Sequence, residues 1–289
     1  MRVGIFSALN SRGFTIIEVM IFLAVSGLTF LIAASFINGK EAQAEYSQGM
    51  NNAAMQINTT INNVSNGNYQ LPYGKSLSCV VSSGRPSVTL APETIASPAV
   101  AGCTFIGKVI SPDYNRNPNA YYLYTVDGCQ YLNTAGQCSS NFTATSPTSL
   151  SQEQPSIVSF LSGSNYWQNG IVYKGMYYVS SSADWQPIGS FGFFAGLPSQ
   201  NNKGILQSGS TPLFLEYFTG NSSQTVNDIQ SLGGTTSPDG HSSENGYIAI
   251  CFEGDSRSLR GEIKVGSVNG QQLIAQTIMG QGVAPLCLS

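Results

Sequence analysis

The sequence predicts an α+β protein: a long N-terminal helix, greasy on every side in its first half, whose second half packs on an antiparallel β-sheet head. Three observations lead there. Phe14 to Ile37 is a run of 24 mostly apolar residues carrying a single carboxylate, Glu18. From Tyr46 the residues Tyr46, Met50, Ala53, Ala54, Ile57, Ile61 and Val64 recur at offsets 0, 4, 7, 8, 11, 15 and 18, which is one face of a 3.6-residue helix. Beyond residue 66 the chain is a succession of short β-rich runs punctuated by Gly, Asn and Ser, with no second long helical period.

The first 13 residues read as a short basic leader, with Arg2 and Arg12. The apolar run behind it spans about 36 Å as a helix, against a hydrocarbon core of about 30 Å. It is long enough to cross a bilayer with a little tilt. Basic flanks stay in the cytoplasm, so the N-terminus is expected inside and everything after Ile37 outside. Glu18 is costly in this setting, at most about 2.5 to 3.5 kcal/mol for a charge at mid-bilayer and less one turn from the boundary. An acid in such a span calls for a partner. A backbone cut between Gly13 and Phe14 would create one, the new α-amine of Phe14 on a neighbouring helix.

Gly13-Phe14-Thr15-Ile16-Ile17-Glu18, behind a basic leader and ahead of an apolar run, resembles the class III signal of type IV prepilins and of the pseudopilins of type II secretion. The resemblance covers residues 1 to about 64. It implies cleavage by a prepilin peptidase after Gly13, methylation of the new N-terminus at Phe14, and a role for Glu18 in recruiting or registering subunits of a filament. It also implies a pilin-like fold, insertion in the inner membrane before assembly, and other pilin subunits as partners, with the head displayed at the cell surface; separately, a surface carried by Asn, Ser, Thr, Gln, Gly and Tyr suits adhesion to a glycan or protein, and equally a head that merely stays soluble. The family often carries a helix-breaking proline in the second half of the span; Ser35 and Gly39 stand in that region here. A minor or specialised pilin is the first reading and a secretion pseudopilin the second. Two readings outside the family remain. Ala42-Gln43-Ala44 is a signal-peptidase pattern that would release a secreted chain starting at Glu45, although the apolar run exceeds the usual 7 to 15 residues and holds an acid. A plain single-span anchor for an adhesin or enzyme that never polymerises explains the length but not the placement of Gly13, Phe14 and Glu18.

After the span, the helix is expected to continue unbroken to Val64, about 77 Å from Phe14. Asn66-Gly67 supplies its C-terminal cap, because Gly accepts the left-handed conformation that ends helices. The leader thus covers residues 1–13, the helix 14–66 and the extracytoplasmic head 67–289. In the head, Ala120–Val126, Asp127-Gly128 and Cys129–Leu132 read as a tight hairpin. Tyr247–Glu253, Leu259–Val265 and Gln271–Ile278 read as an antiparallel meander, the last two runs joined across Asn269-Gly270. Thr104–Ile110, Ile157–Leu161, Ile171–Val179, Ser190–Phe194 and Leu213–Tyr217 are further strands, and the Ser-, Thr- and Pro-rich stretch from Ser139 to Ser156 is a surface loop or linker.

All six cysteines, Cys79, Cys103, Cys129, Cys138, Cys251 and Cys287, fall in the head. An even number outside the membrane suggests disulfides, though six cysteines allow 15 pairings and the sequence alone does not choose. Sequential pairing is the expectation, with Cys251–Cys287 tying the meander to the chain end as the C-terminal disulfide loop does in many pilins. A structural metal is disfavoured, since no two cysteines have C-x2-C spacing and His241 is the one histidine.

Charged residues make up only 9% of the chain, against about 25% in typical soluble domains. Losing the leader removes Arg2 and Arg12 and takes the net charge from −3 to −5. No basic run exists to track phosphates, and Lys108 with Arg116 is at best a local pair, so nucleic acid is not an expected partner. Catalysis is not expected either: a triad would have to use His241, which lies among turn formers, and the acids show no spacing for paired carboxylate chemistry. The same loop, with Asp239 and Glu244, is a minority candidate for calcium without the EF-hand pattern. No cofactor is implied. Trp167 and Trp185 are expected in the core, with sugar stacking as the lesser reading. Asn-x-Ser/Thr triplets stand at Asn58, Asn63, Asn141 and Asn221.

Overall fold

One helix, α1 (Ile16–Ser65), opens the structure. The computed structural model describes residues 15–67, 75–82, 85–92, 103–113, 117–139, 152–168, 170–195, 213–219, 229, 246–254, 259–268 and 272–287. By internal contacts the chain divides into two units, Met1–Ala44 and Glu45–Ser289.

In the first unit Thr15 precedes α1 and caps its start, its carbonyl accepting from the backbone N–H of Glu18 at 3.0 Å and of Val19 at 3.2 Å. The Thr15 hydroxyl also accepts from the Glu18 N–H at 3.3 Å, half of the Thr-x-x-Glu arrangement that satisfies the free donors of a helix start. Ile16–Ala33 is long and apolar enough to cross a membrane and is not buried within the chain. The hydroxyl of Ser26 donates to the Phe22 carbonyl at 2.7 Å and that of Thr29 to the Ser26 carbonyl at 2.9 Å. These small polar groups therefore bring no unmet hydrogen-bonding need into an apolar medium.

The second unit corrects the expected fold class. Strand accounts for about 49% of the described residues and lies in three antiparallel sheets, so the described protein is mostly β and not an α+β arrangement of one long helix on one sheet. The strands in chain order are β1 (Lys75–Ser82), β2 (Arg85–Pro92), β3 (Cys103–Pro112), β4 (Ala120–Cys129), β5 (Ser156–Ile157), β6 (Gly163–Tyr166), β7 (Ile171–Val179), β8 (Trp185–Pro187), β9 (Ser190–Ala195), β10 (Leu213–Phe218), β11 (Tyr247–Gly254), β12 (Arg260–Val268) and β13 (Gln272–Met279). β1 and β2 form a two-stranded sheet. A six-stranded sheet runs β10-β9-β3-β4-β5, with β6 also on β4, and a five-stranded sheet runs β13-β12-β11-β7-β8. The C-terminal meander is thus present as β11, β12 and β13. A head this size holds more apolar pattern than one sheet can bury, and two larger sheets facing a common core accommodate it.

That core takes Ile248, Ile250 and Phe252 from β11, Phe191 and Phe193 from β9, and Met176 from β7. Tyr46, Met50, Ala53, Ala54, Ile57, Ile61 and Val64 of α1 belong to the same cluster, and all seven are buried. Polar bonds fix the contact. The Tyr46 hydroxyl donates to the Phe252 carbonyl at 3.1 Å, and that of Tyr121 to Gln56 Oε1 at 3.2 Å. Asn58 bonds Ala275 in both directions, its Nδ2 donating to the carbonyl at 3.0 Å and its Oδ1 accepting from the N–H at 2.9 Å. Since β13 ends its sheet, Asn58 occupies backbone groups that a free edge would offer to another chain. It is consequently a poor glycan acceptor. Two residues past the end of α1, Gly67 has a φ of +63°, the left-handed conformation expected there.

The expected hairpin at Asp127-Gly128 does not form. β4 runs straight through it and pairs with β3, Phe105 opposite Asp127 and Thr104 opposite Gly128. Of the expected strand Ile157–Leu161 only Ile157 is strand, the second residue of β5, and Ser159–Leu161 is a 3-10 turn. Asn269-Gly270, Arg116 and most of the polar stretch after Ser139 lie outside the described residues, as do Asn141 and Asn221.

Two glycines mark close approaches. At Gly107, beside an irregularity in the β3–β4 register, a Cβ would collide with the Phe193 carbonyl oxygen and stand 2.7 Å from Cδ1 of Phe194. At Gly261 it would meet the Tyr46 hydroxyl at 2.6 Å, the Met50 methyl at 2.9 Å and, less tightly, the Ile278 carbonyl oxygen at 3.2 Å; the Met50 methyl is the end of a flexible side chain, and Tyr46 yields only by giving up its bond to Phe252. Gly107→Ala should therefore cost about 1 to 3 kcal/mol in denaturant titration and Gly261→Ala less. The reverse order would contradict the rigid contact at Gly107.

Candidate functional site

Gly13 and Phe14, the expected processing residues, lie outside the described residues. Glu18 is described. It occupies the first turn of α1 and is exposed, among exposed Ile16, Ile17, Val19, Met20, Ile21 and Phe22. Ile16 is 82% and Phe30 73% accessible. A helix apolar on all sides is stable only when lipid or other helices cover it, and Glu18 is the single ionisable side chain from Phe14 to Ile37. The assembly candidate is thus a carboxylate on an otherwise featureless greasy cylinder.

In the head the structure joins Cys79–Cys103, Cys129–Cys138 and Cys251–Cys287, with Cα separations of 5.8, 5.4 and 5.2 Å. The last holds the chain end against the face of β11 turned away from the main core, where Cys251, Val283 and Cys287 form a separate buried cluster. There the Glu262 carboxylate accepts from the Ala284 N–H at 2.9 Å. Burial raises the Glu262 pKa, while that N–H and Lys264 act against the rise.

The two tryptophans part company. Trp167 is 4% exposed, stacked on Tyr121 with ring centroids 4.1 Å apart and edge-on to Phe252 at 5.3 Å. Trp185 is 55% exposed and meets Tyr177 edge-to-face at 5.3 Å. Core packing is therefore the role of Trp167 alone. Lys108 is buried in the six-stranded sheet, and burial pushes its pKa down. It offers no surface cation for a phosphate.

His241, Asp239 and Glu244 lie outside the described residues, and among the described residues no three His, Cys, Asp or Glu side chains gather to hold a metal. Sequence reasoning missed the buried acids. Glu153 is held at the side of β4, its carbonyl accepting from the Cys129 N–H at 2.6 Å, and its carboxylate Oε2 is buried without a hydrogen-bond partner among the described residues. Burial lifts its pKa to about 8. Glu216 of β10 is lifted to about 7 for the same reason. Neither position carries a pattern that would have singled it out: Glu153 sits in a polar stretch read as a loop, and Glu216 is one acid in a strand.

No family model, curated protein or solved structure matches the chain.

Proposed function

We propose that this chain is a structural subunit of a type IV pilus-like filament, cleaved by a prepilin peptidase after Gly13, methylated at Phe14 and assembled through α1, with the β-rich head displayed outside. One observation carries the reading: a single carboxylate, five residues past Gly13 and one turn into a membrane-length helix whose apolar side chains are otherwise exposed on every side. Unpaired in lipid, that carboxylate is a penalty. Paired with a neighbour's α-amine at the same depth it becomes the device that registers one helix against the next, since a charge pair is strongest where water is absent. A secretory signal or a simple anchor gains nothing from it. The reading rests on the N-terminal segment and not on the head, whose three sheets differ from the helix-on-sheet arrangement that the resemblance implies.

Two measurements test it. Intact mass of the mature protein should correspond to a chain that starts at Phe14 and carries one methyl group; a start at Glu45 means secretion, and a retained Met1 means a plain anchor. Glu18→Ala should leave membrane insertion unchanged and reduce filament recovery at least tenfold. Filaments at wild-type yield from Glu18→Ala would overturn the assembly role.

A further inference from the structure

The face of the five-stranded sheet that carries the chain end holds a cavity of about 390 Å³ lined by Lys174, Tyr177, Glu253, Arg260, Leu286 and the Cys251–Cys287 disulfide. It is unusual for this chain. Three charged side chains converge in it although only 9% of all residues are charged. Lys174 is ion-paired with Glu253. Arg260 stands directly across the strand pair from Glu253, is partly buried, and forms no ion pair among the described residues. The carboxylate nearest to it in register is already engaged by Lys174, which leaves a guanidinium fork turned to a pocket with an excess of one positive charge in a chain of net −3.

The aromatic side is as specific. Tyr177 lines the cavity, and exposed Trp185 on the edge strand β8 stands against it edge-to-face. Trp185 is not itself a lining residue; it flanks Tyr177 at the rim, and 55% of it is exposed, an apolar surface on the scale of a sugar ring. The volume suits one or two such rings, within the usual range of small-molecule sites. Arg presents a planar donor pair that matches a carboxylate in two-point contact, which an ammonium does not.

The geometry points to a binding site for an acidic saccharide, the ring resting against Tyr177 with Trp185 at the rim and its carboxylate held by Arg260, with Lys174 keeping Glu253 from repelling it. Glu253 adds an acceptor for ring hydroxyls. The inference concerns the head alone and stands or falls separately from filament assembly. A peptide C-terminus shares the carboxylate but lacks the polar, flat ring that the aromatic pair suits.

The test is a fluorescence titration of the full chain in detergent. Trp185 is exposed beside Tyr177 at the cavity rim and Trp167 is buried in the core, so a change in tryptophan emission reports on the rim. A uronic acid disaccharide should shift the emission in a saturable way, and its methyl ester, the same rings without the charge, should bind at least tenfold more weakly. Arg260→Gln should remove that preference, Lys174→Gln should weaken the acid by a smaller factor, and Trp185→Phe should abolish the signal, with unchanged circular dichroism showing that each variant is folded. Equal affinity for acid and ester, an unaltered preference in Arg260→Gln, or tighter binding of a short peptide through its free C-terminus would each overturn the assignment.

Discussion

Raising the pH from 5 to 9 should cost the head several kcal/mol of stability, and Glu153→Gln should remove the part of that loss that falls above pH 7. The Glu153 carboxyl is buried, its Oε2 has no hydrogen-bond partner among the described residues, and burial carries its pKa from 4.5 to about 8. Between those two values the folded chain holds a proton that the unfolded chain has released, so stability falls as pH rises through the window. Below 4.5 both states are protonated, and above 8 both are ionised, so the slope vanishes at either end. The full displacement corresponds to about 5 kcal/mol, an upper limit because local opening would let water reach the charge. Glu216 adds a smaller loss in the same direction, complete by about pH 7. Lys108, whose pKa is lowered by burial, acts in the opposite sense towards alkaline pH. The difference between wild type and Glu153→Gln isolates the carboxyl from both. The wild-type denaturant midpoint should fall from pH 5 to 7 and again from 7 to 9, whereas in Glu153→Gln the first fall should shrink to what Glu216 and Glu262 contribute and the second should be lost; parallel profiles would mean that Glu153 ionises without consequence.

The elements legible in the sequence were those whose pattern is local. The face Tyr46 to Val64 declares itself by period, because a helix must present one side to whatever buries it. The Gly67 cap follows from the one residue type that takes positive φ freely. β11 to β13 were visible because each strand pairs with its neighbour in sequence. Asp127-Gly128 shows where such reading fails. As a dipeptide it favours a turn, but β3 supplies a long ladder opposite β4, and the side of Gly128 is filled by Glu153 and Ile106. Pairing and packing over a whole strand outweigh a turn preference of two residues. The fold class failed for a related reason: how many sheets share a core depends on contacts between segments far apart, such as β7 with β11, and periodicity within a segment is blind to them. The site divides likewise. Glu18 stands out because its neighbours in sequence are all apolar, whereas the cavity near Arg260 gathers residues from β7, β11, β12 and the chain end, which only folding brings together.

Removing the Cys251–Cys287 bond should destabilise the head more than removing Cys129–Cys138, and should do so with a local signature. The bonds span 36 and 9 residues. Restriction of the unfolded chain grows with the logarithm of the closed loop, which gives about 4 kcal/mol for the longer and about 3 kcal/mol for the shorter. The entropic difference is modest, and the structural one adds to it. Cys129–Cys138 closes a loop that keeps its own bonds, with the Gln137 carbonyl accepting from the Asn133 N–H at 2.7 Å. The segment after Gly280 relies on Val283, on Cys287 itself and on the Ala284 N–H bond to Glu262. Without the disulfide the segment is free to lift away, and its departure would hydrate the Glu262 carboxylate. That favours the ionised, detached state above the ordinary carboxylate pKa. Cys251→Ala with Cys287→Ala should thus lower the unfolding free energy by about 4 kcal/mol. It should also speed hydrogen exchange at residues 283–287 selectively, and abolish saccharide binding, because Leu286 and both cysteines wall the cavity. A loss no larger than that of the Cys129–Cys138 variant, with exchange at 283–287 unchanged, would show that packing of the chain end suffices to hold it and that the bond is redundant there.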